Sequence, residues 1–220
     1  VDDTADIYKA AGDIVAGSSF DNNLPCIAEK ECFVFENVAD QLIDGMTRQG
    51  AYLISGEQID RLLKVALIEK NGKYVINKDW VGRDAKKFLK EIGIDADPRL
   101  IICETDANHP FVMVEMMMPI LPIVRVKNIE EAVALAVKAE HGNRHSAHIH
   151  SKNIDHLTMF ARAIETTIFV KNAPSFAGIG AGGEGYTTFT IAGPTGEGLT
   201  AAHSFTRARR CVLVDGLHIV

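Results

Sequence analysis

The sequence predicts an α/β fold with a mostly parallel sheet flanked by helices, and three observations support this. Short apolar runs typical of buried strands alternate with segments whose apolar residues recur at helical spacing. Helix-start patterns with capping-box spacing stand between several of these runs. Strands that alternate with helices of this length are typical of βαβ units, whose strands pair in parallel. A chain of 220 residues is also long enough to bury about 70% of its unfolded surface.

The elements of the first half follow from local patterns. Apolar residues at helical spacing over residues 4–17 predict a first helix, and Cys32-Phe-Val-Phe predicts a short strand. Asn-Gly at residues 71–72 indicates a turn. Further helices are predicted from a cap at Asn37 to about Gln49, from a capping box at Ser55 to about Ile68, and over residues 83–92.

The second half continues the alternation. Strands are predicted over residues 100–103, 120–126, 145–150, 167–170 and 210–214. Asn128 and Asn153 are predicted to open helices that reach about Glu140 and Ile164. Pro119 and Pro122 indicate an edge position, or a bend at the entry, for the strand over residues 120–126. The one shift in composition is the stretch 173–198, rich in Gly, Thr and Pro, which is typical of a functional irregular segment.

Composition and charge exclude several classes of protein. The chain is 47% hydrophobic and 24% charged, as in ordinary globular proteins, and its formal charge of −6 argues against nucleic acid as a partner. The first residues lack the pattern of a secretory signal, and the most apolar stretch, residues 110–124, is too short to span a membrane. The four cysteines form no C-x-x-C pair, so we expect a reduced, cytoplasmic compartment.

Cys26 is the candidate nucleophile. The other three cysteines lie in apolar strand-like runs and are predicted to be core residues, whereas Cys26 follows the polar turn Asp21-Asn-Asn-Leu-Pro25. A helical turn that starts at Pro25 would lower the thiol pKa, because the positive end of a helix favours the thiolate. The amides of Asn22 and Asn23 and local backbone N–H groups could then serve as oxyanion donors. The alternative is a structural cysteine beneath a loop.

Two other motifs predict less chemistry than their letters suggest. The glycine run over residues 178–183 matches G-x-G-x-x-G, but it neither follows a strand directly nor opens a helix, so we read no dinucleotide turn. The histidines at 141, 145, 148, 150 and 156 include two on one strand face. No carboxylate or thiol completes a ligand set nearby, and we predict no metal.

A lone acid, Glu115, in an apolar run must pair structurally or bind a ligand hydroxyl.

Several stretches together resemble the cysteine-bearing, C-terminal half of the aldehyde dehydrogenase superfamily. The likeness is greatest to the CoA-acylating propionaldehyde and acetaldehyde dehydrogenases of bacterial microcompartments, and the propanediol-utilisation type with propanal as substrate is favoured. The likeness extends over essentially the whole chain. The stretches that carry it include Phe20-Asp-Asn-Asn-Leu-Pro-Cys-Ile-Ala-Glu-Lys-Glu31, His109-Pro-Phe, Glu115-Met-Met-Met-Pro-Ile-Leu-Pro122 and Gly193-Pro-Thr-Gly-Glu-Gly198.

The resemblance implies an oxidoreductase that converts a short aldehyde, CoA and NAD to acyl-CoA and NADH. Cys26 would form a thiohemiacetal and then a thioester that the CoA thiol attacks. Glu115 matches the glutamate that holds the nicotinamide ribose. Asn23, His109, Gly183 and Thr195 are the further candidates for the substrate pocket. NAD and coenzyme A are therefore the expected cofactor and co-substrate.

The resemblance also sets expectations for organisation and partners. Residues 1–220 match a catalytic domain with a C-terminal oligomerisation segment, and the family's N-terminal nucleotide-binding domain is not in this chain, so we expect it to bind NAD poorly alone. We expect a homo-oligomer of at least two copies, because the apolar end of the chain reads as an unpaired strand edge. The parent protein would occupy a microcompartment lumen, reaching the shell through the missing N-terminus.

Three alternatives stay open at this point. The acyl group could pass to water, as in hydrolytic aldehyde dehydrogenases, rather than to CoA. The substrate could be acetaldehyde rather than propanal. A truncated, non-enzymatic assembly domain would retain the fold but show ordinary thiol reactivity at Cys26.

Overall fold

A computed structural model describes residues 1–182, 185–193 and 198–216, and its helices and strands alternate as the sequence predicts. The helices in these residues are α1 (Ile7–Ser19), α2 (Glu36–Arg48), α3 (Glu57–Ala66), α4 (Ala85–Glu91), α5 (Pro110–Met113), α6 (Ile129–Glu140) and α7 (Ile154–Ile164). The strands are β1 (Cys32–Phe35), β2 (Ala51–Ile54), β3 (Leu67–Lys70), β4 (Lys73–Ile76), β5 (Leu100–Glu104), β6 (Ile120–Val126), β7 (Ser146–Ile149), β8 (Ile168–Lys171), β9 (Thr190–Ala192) and β10 (Gly198–Thr200).

A four-stranded parallel sheet forms the centre, in the order β1-β6-β5-β2. Alternate residues of β5 face opposite sides, as the pleat requires. Leu100 and Ile102 pack against α1 and α2, whereas Ile101 and Cys103 pack against α3 and α4. Both faces are therefore covered by helices, and the strands are accordingly apolar except at Glu104 and Arg125. The mixed α/β class with parallel strands is confirmed.

Smaller sheets complete the fold. Strands β7 and β8 form a separate parallel pair, and α6 and α7 pack against it. The hairpin of β3 and β4 turns at Asn71-Gly72, where φ is +52° and +72°, as the turn signal predicts. Strands β9 and β10 form a second antiparallel pair near the C-terminus.

Helices α6 and α7 begin where the sequence places them. The side chain of Asn128 caps α6 by accepting from the N–H of Glu131, and the Glu131 carboxylate accepts from the N–H of Lys127, one residue before the cap. Asn153 caps α7 by accepting from the N–H groups of Asp155 and His156. Both helices are therefore fixed by local hydrogen bonds that the sequence shows directly.

Two predicted helix ends are wrong. Asn37 does not cap α2, because the helix already begins at Glu36, and the Asn37 amide instead donates to Asp3 at 3.2 Å. Helix α3 ends at Ala66 and not near Ile68, since residues 67–70 pair with β4. Pairing with a neighbouring strand overrides the helical pattern there, and only tertiary structure reveals it.

Strand β6 is interior, so the edge position, one of the two alternatives predicted from the prolines, is wrong. It lies between β1 and β5, and Pro122 stands opposite Cys103. Pairing with β1 starts only at Ile123, opposite Cys32, so Pro122 precedes that ladder. The proline therefore removes no hydrogen bond from the β1 side, which allows it in a central strand.

The strand predicted over residues 210–214 is also wrong. Within the part of the chain that the structure describes, residues 207–214 adopt neither helix nor strand. Val212 and Val214 are exposed, and so is Cys211, which is not the core residue that its apolar neighbours predict. A short apolar run forms a strand only beside another strand. None of the described helices has both the length and the apolar character needed to cross a bilayer.

Candidate active site

Cys26 and Glu115 lie at the same edge of the central sheet. Cys26 precedes β1, Glu115 precedes β6, and these two strands are parallel neighbours with Cys32 opposite Ile123. Segments that enter adjacent parallel strands meet at the amino edge of the sheet. The Glu115 carboxylate is close enough to act electrostatically on the Cys26 thiol. The topology thus brings together the two principal residues predicted from the sequence.

The loop that carries Cys26 is shaped by three left-handed residues. Asp21, Asn22 and Asn23 have φ of +47°, +53° and +64°, in the region that aspartate and asparagine tolerate best after glycine. The chain then makes a single turn in which the N–H of Ala28 donates to the carbonyl of Pro25 at 2.9 Å. A short turn thus starts at Pro25, as expected, but it does not continue into a helix.

The asparagine side chains hold the loop rather than face a substrate. Asn23 Nδ2 donates to the carbonyl oxygens of Ser18, at 2.9 Å, and Glu29, at 3.1 Å. Asn22 Nδ2 donates to the carbonyl of Gly82 and to Asp84. Each amide has two hydrogens, and both are used. An oxyanion at Cys26 would therefore depend on backbone N–H groups, and not on these two side chains.

Lys30 fastens the end of the same loop to two helices. Its Nζ donates to the carbonyl of Val112 in α5 at 3.0 Å and to that of Ala139 in α6 at 2.8 Å. It also lies 3.4 Å from the buried carboxylate of Glu31. Since α5 leads directly to Glu115, Lys30 links the loop that carries Cys26 to the segment that carries Glu115. Sequence reasoning missed Lys30, whose only signal is a charged Glu-Lys-Glu run directly before a buried strand.

A turn at Gly82 makes a second link between the Cys26 loop and the segment that carries Glu115. Its carbonyl accepts from Asn22, and its N–H donates to the carbonyl of Met117, just after Glu115, at 3.0 Å. Gly82 has φ of +69°, and a Cβ there would meet the Leu24 side chain at 3.0 Å. Nothing local in the sequence marks Gly82 for this role, because its partners are distant along the chain.

The Cys26 thiol is exposed, yet its pKa is raised above the ordinary value. Partial burial is the main cause and the charge of Glu115 adds to it, while a hydrogen bond from the Cys26 N–H acts in the opposite direction. The prediction that a helix end lowers this pKa is therefore wrong. Cys32 and Cys103 are buried, as predicted, and burial raises their pKa values to about 11 and about 12.

A cavity of about 560 Å³ connects these groups. Cys26, Glu115, His141 and His145 border it, and it extends between the facing edges of β1 and β7. The backbone of Val1 bonds to both Phe33 and Phe35 of β1. The N–H of Asp2 donates to the carbonyl of His150. The first residues thus bridge the two edges, and the cavity lies beside that bridge.

The other predicted pocket residues stand apart from this cavity. Neither Asn23 nor His109 borders it. His109 caps α5, since its Nδ1 accepts from the N–H of Phe111 at 3.2 Å, and burial lowers its pKa. Gly183 and Thr195 fall outside the residues that the structure describes. The position of His109 therefore favours a structural cap.

His148, His150 and the glycine run are packing features in the described chain. Burial lowers the pKa of His148 to about 4 and that of His150 to about 3, so both are neutral near pH 7. No group of three metal-binding side chains is found among the described residues. A Cβ at Gly178 would collide with the Ile168 side chain, and one at Gly180 would lie 2.6 Å from the Tyr186 carbonyl oxygen. These two glycines permit close packing, and neither opens a helix.

The chain is 53% identical to the acetaldehyde dehydrogenase (acetylating) EutE of Salmonella typhimurium over 100% of this chain and 48% of that protein. A propionaldehyde dehydrogenase of Rhodopseudomonas palustris, solved with bound CoA and an acylated cysteine, is 51% identical with a TM-score of 0.88 over 96% of this chain and 48% of that one.

A third relative comes from a bacterial microcompartment. The propionaldehyde dehydrogenase of the Clostridium phytofermentans fucose utilisation microcompartment is 54% identical, with a TM-score of 0.89 over 96% of this chain and 48% of that one. The chain spans about half the length of the curated relatives it matches. The model of the aldehyde dehydrogenase family matches residues 1–200. By this match and by its fold, the chain belongs to the aldehyde dehydrogenase family.

Proposed function

We propose that this chain is the cysteine-bearing catalytic part of a CoA-acylating aldehyde dehydrogenase, with Cys26 as nucleophile. The observation that carries the proposal is that Cys26 and Glu115 border one cavity at the amino edge of the central sheet. The similarity to a propionaldehyde dehydrogenase with an acylated cysteine supports the same residue. The domain boundaries predicted from the sequence, with residues 1–220 as the catalytic part, belong to this proposal.

The Cys26 sulfur can perform both covalent steps. Its thiolate attacks the aldehyde carbon, and the carbonyl π pair moves to oxygen, giving a thiohemiacetal. Loss of hydride from that carbon leaves a thioester on Cys26. The CoA thiolate then attacks the thioester, the Cys26–acyl bond breaks, and the Cys26 thiolate leaves with its electron pair. A sulfur centre suits both roles, because thiolates are good nucleophiles and good leaving groups.

The residues near Cys26 fit a bound NAD at its ribose end. Glu115 is exposed, and no hydrogen-bond donor to its carboxylate is found among the described residues. An unengaged carboxylate beside the thiol suits the ribose hydroxyls, which are donors. NAD, when bound, supplies the acceptor for the hydride. Glu115 would hold the ribose, and its negative charge adds to the burial that raises the pKa of the Cys26 thiol.

The experiment that tests the proposal is acyl transfer from propionyl-CoA, because this half-reaction needs no NAD. The chain is mixed with propionyl-CoA, and intact mass with peptide mapping locates any adduct. We expect one propionyl group on Cys26, reversed by added CoA and lost in Cys26→Ser. Cys211→Ser is the matched control, since Cys211 is the other exposed thiol. An adduct that persists in Cys26→Ser would overturn the assignment.

Two finer points are part of the same proposal. The relatives include an acetaldehyde enzyme and propionaldehyde enzymes, and we propose propanal as the substrate. Faster acylation of Cys26 by propionyl-CoA than by acetyl-CoA would support this choice, and the reverse order would contradict it. Discharge of the acyl group faster by CoA than by water separates the CoA-acylating reaction from the hydrolytic one.

Self-association of the chain is proposed from exposed apolar side chains near its C-terminal end. Phe205, Val212 and Val214 are each at least 75% exposed, which suits burial against a second copy. We therefore propose a homo-oligomer, and sedimentation should give at least a dimer that Val212→Asp weakens. The similarity to a microcompartment enzyme supports a microcompartment lumen as the site of the parent protein. Co-sedimentation of the parent protein with purified compartments tests that location.

A further inference from the structure

Glu29 is a buried acid close to the nucleophile, and the mechanism above does not use it. Only 7% of its surface is exposed. Burial is the main cause that raises its pKa to about 7, and the nearby charge of Asp13 adds to it. Hydrogen bonds from its own N–H and from Ser175 act in the opposite direction. An acid buried at such a cost needs a structural or functional reason.

The contacts of Glu29 supply a reason. Its Oε1 accepts from the N–H of Ser175 at 3.1 Å, and its backbone carbonyl accepts from Asn23 Nδ2 at 3.1 Å. The main chain of Glu29 therefore closes the Cys26 loop on itself. Its side chain fastens that closed loop to the turn Ser175–Ile179, which follows β8.

Helix α1 leaves room for this carboxylate at Gly17. A Cβ at Gly17 would collide with both carboxylate oxygens of Glu29 and would lie 2.7 Å from its Cδ. Gly12, in the same helix, differs. A Cβ there would meet only the Gln49 side chain, at an ordinary 3.7 Å. The glycine at position 17 therefore accommodates the Glu29 side chain against the helix.

We propose that Glu29 is a positioning residue for Cys26, which it holds by tying the nucleophile loop to the Ser175 turn across Gly17. This inference rests on the proposed role of Cys26. It predicts that the position and burial of the Cys26 thiol depend on the Glu29 side chain. This side chain lies three residues further along the chain and does not itself touch the reacting atoms.

A loosened loop should lower the pKa of the Cys26 thiol. Burial is the largest cause that raises its pKa, ahead of the opposing hydrogen bond from its own N–H. Releasing the loop to solvent removes that burial first, so the thiol pKa falls toward its ordinary value. The rate of alkylation by iodoacetamide follows the thiolate, so its pH midpoint reports this shift.

The test compares four variants of the full chain. Glu29→Ala removes the tie, and Gly17→Ala displaces the Glu29 side chain without changing it. Glu29→Gln retains the volume and the acceptor for the Ser175 N–H, and Gly12→Ala is the matched helix control. We expect at least threefold faster Cys26 alkylation at pH 7 in Glu29→Ala and Gly17→Ala. We expect less than a twofold change in Glu29→Gln and Gly12→Ala.

A double variant separates positioning from general damage. Once Glu29 is alanine, the methyl of Gly17→Ala meets no carboxylate, so the two changes together should act no more strongly than Glu29→Ala alone. Cys211 alkylation, read by the same peptide mapping, serves as the internal reference. Unchanged Cys26 alkylation in Glu29→Ala and Gly17→Ala would overturn the proposal. This readout does not require acyl transfer, so it is independent of the propionyl-CoA experiment.

Discussion

Asn23 Nδ2 lies 3.1 Å from the carbonyl oxygen of Glu29, and this hydrogen bond closes the loop in which Cys26 is held. The second hydrogen of the same amide bonds to Ser18 at the end of α1. The side chain is buried, so water is a poor substitute for either bond. The residue that the sequence suggests as an oxyanion donor therefore serves the shape of the loop.

Replacing Asn23 should destabilise the protein through two separable causes. Asn23→Gly removes both hydrogen bonds but accepts the left-handed backbone, and we expect a loss of about 1–3 kcal/mol. Asn23→Ala loses the same bonds and, unlike glycine, keeps a Cβ at φ of +64° without the polar side chain that eases this conformation, so it should be less stable than Asn23→Gly by about 1–2 kcal/mol. Urea unfolding measures both variants, and a glycine variant as stable as the native chain would contradict the role given to the amide.

Electrostatics between the two site residues can be tested in the alkylation rate. Glu115→Gln removes a negative charge that raises the Cys26 thiol pKa, so the pKa should fall and the thiolate fraction at pH 7 should rise. We expect a severalfold faster reaction of Cys26 with iodoacetamide, with the pH midpoint shifted down. Glu91→Gln, an exposed change on α4, is the control. An upward shift, or none, would show that the carboxylate does not act on the thiol.

Gly82 can be tested against a glycine of similar backbone. Gly82 and Gly93 have φ of +69° and +83°, so alanine at either costs about 1–2 kcal/mol in backbone strain. Only at Gly82 does the added Cβ also meet the Leu24 side chain, at 3.0 Å. We expect Gly82→Ala to lower the unfolding free energy more than Gly93→Ala and to alter Cys26 alkylation. Equal losses and unchanged alkylation would mean that the Gly82 turn does not couple to the loop.

The features of the fold that could be predicted from the sequence are those that local hydrogen bonds determine. Asn128 and Asn153 mark the starts of α6 and α7, since each side chain caps its helix through hydrogen bonds within three residues of itself. The interior place of β6 was not predictable, because it depends on where β1 begins to pair. In the site, Cys26 stood out by its polar turn. Lys30 did not, because its acceptors, the carbonyls of Val112 and Ala139, come from distant parts of the chain.

A partly buried histidine, His148, gives the protein a specific sensitivity to acid. Burial lowers the pKa of His148 from its ordinary value near 6.5 to about 4, and its Nε2 has no hydrogen-bond partner among the described residues. Between those two values the unfolded chain binds a proton that the folded chain excludes. Lowering the pH from 6.5 to 4 therefore reduces the free energy of unfolding, by at most about 1.4 kcal/mol per pH unit for one histidine.

His148→Gln should remove this contribution, since glutamine does not titrate. The variant should lose less unfolding free energy than the native chain between pH 7 and pH 5, as measured by urea unfolding at each pH. Glu29 acts in the opposite direction, because its raised pKa makes the folded chain bind the extra proton between pH 4.5 and 7. That contribution is common to both proteins and cancels in the comparison. His203→Gln, at an exposed histidine, is the control, and an acid response in His148→Gln equal to the native one would show that His148 is not excluded from protonation in the folded state.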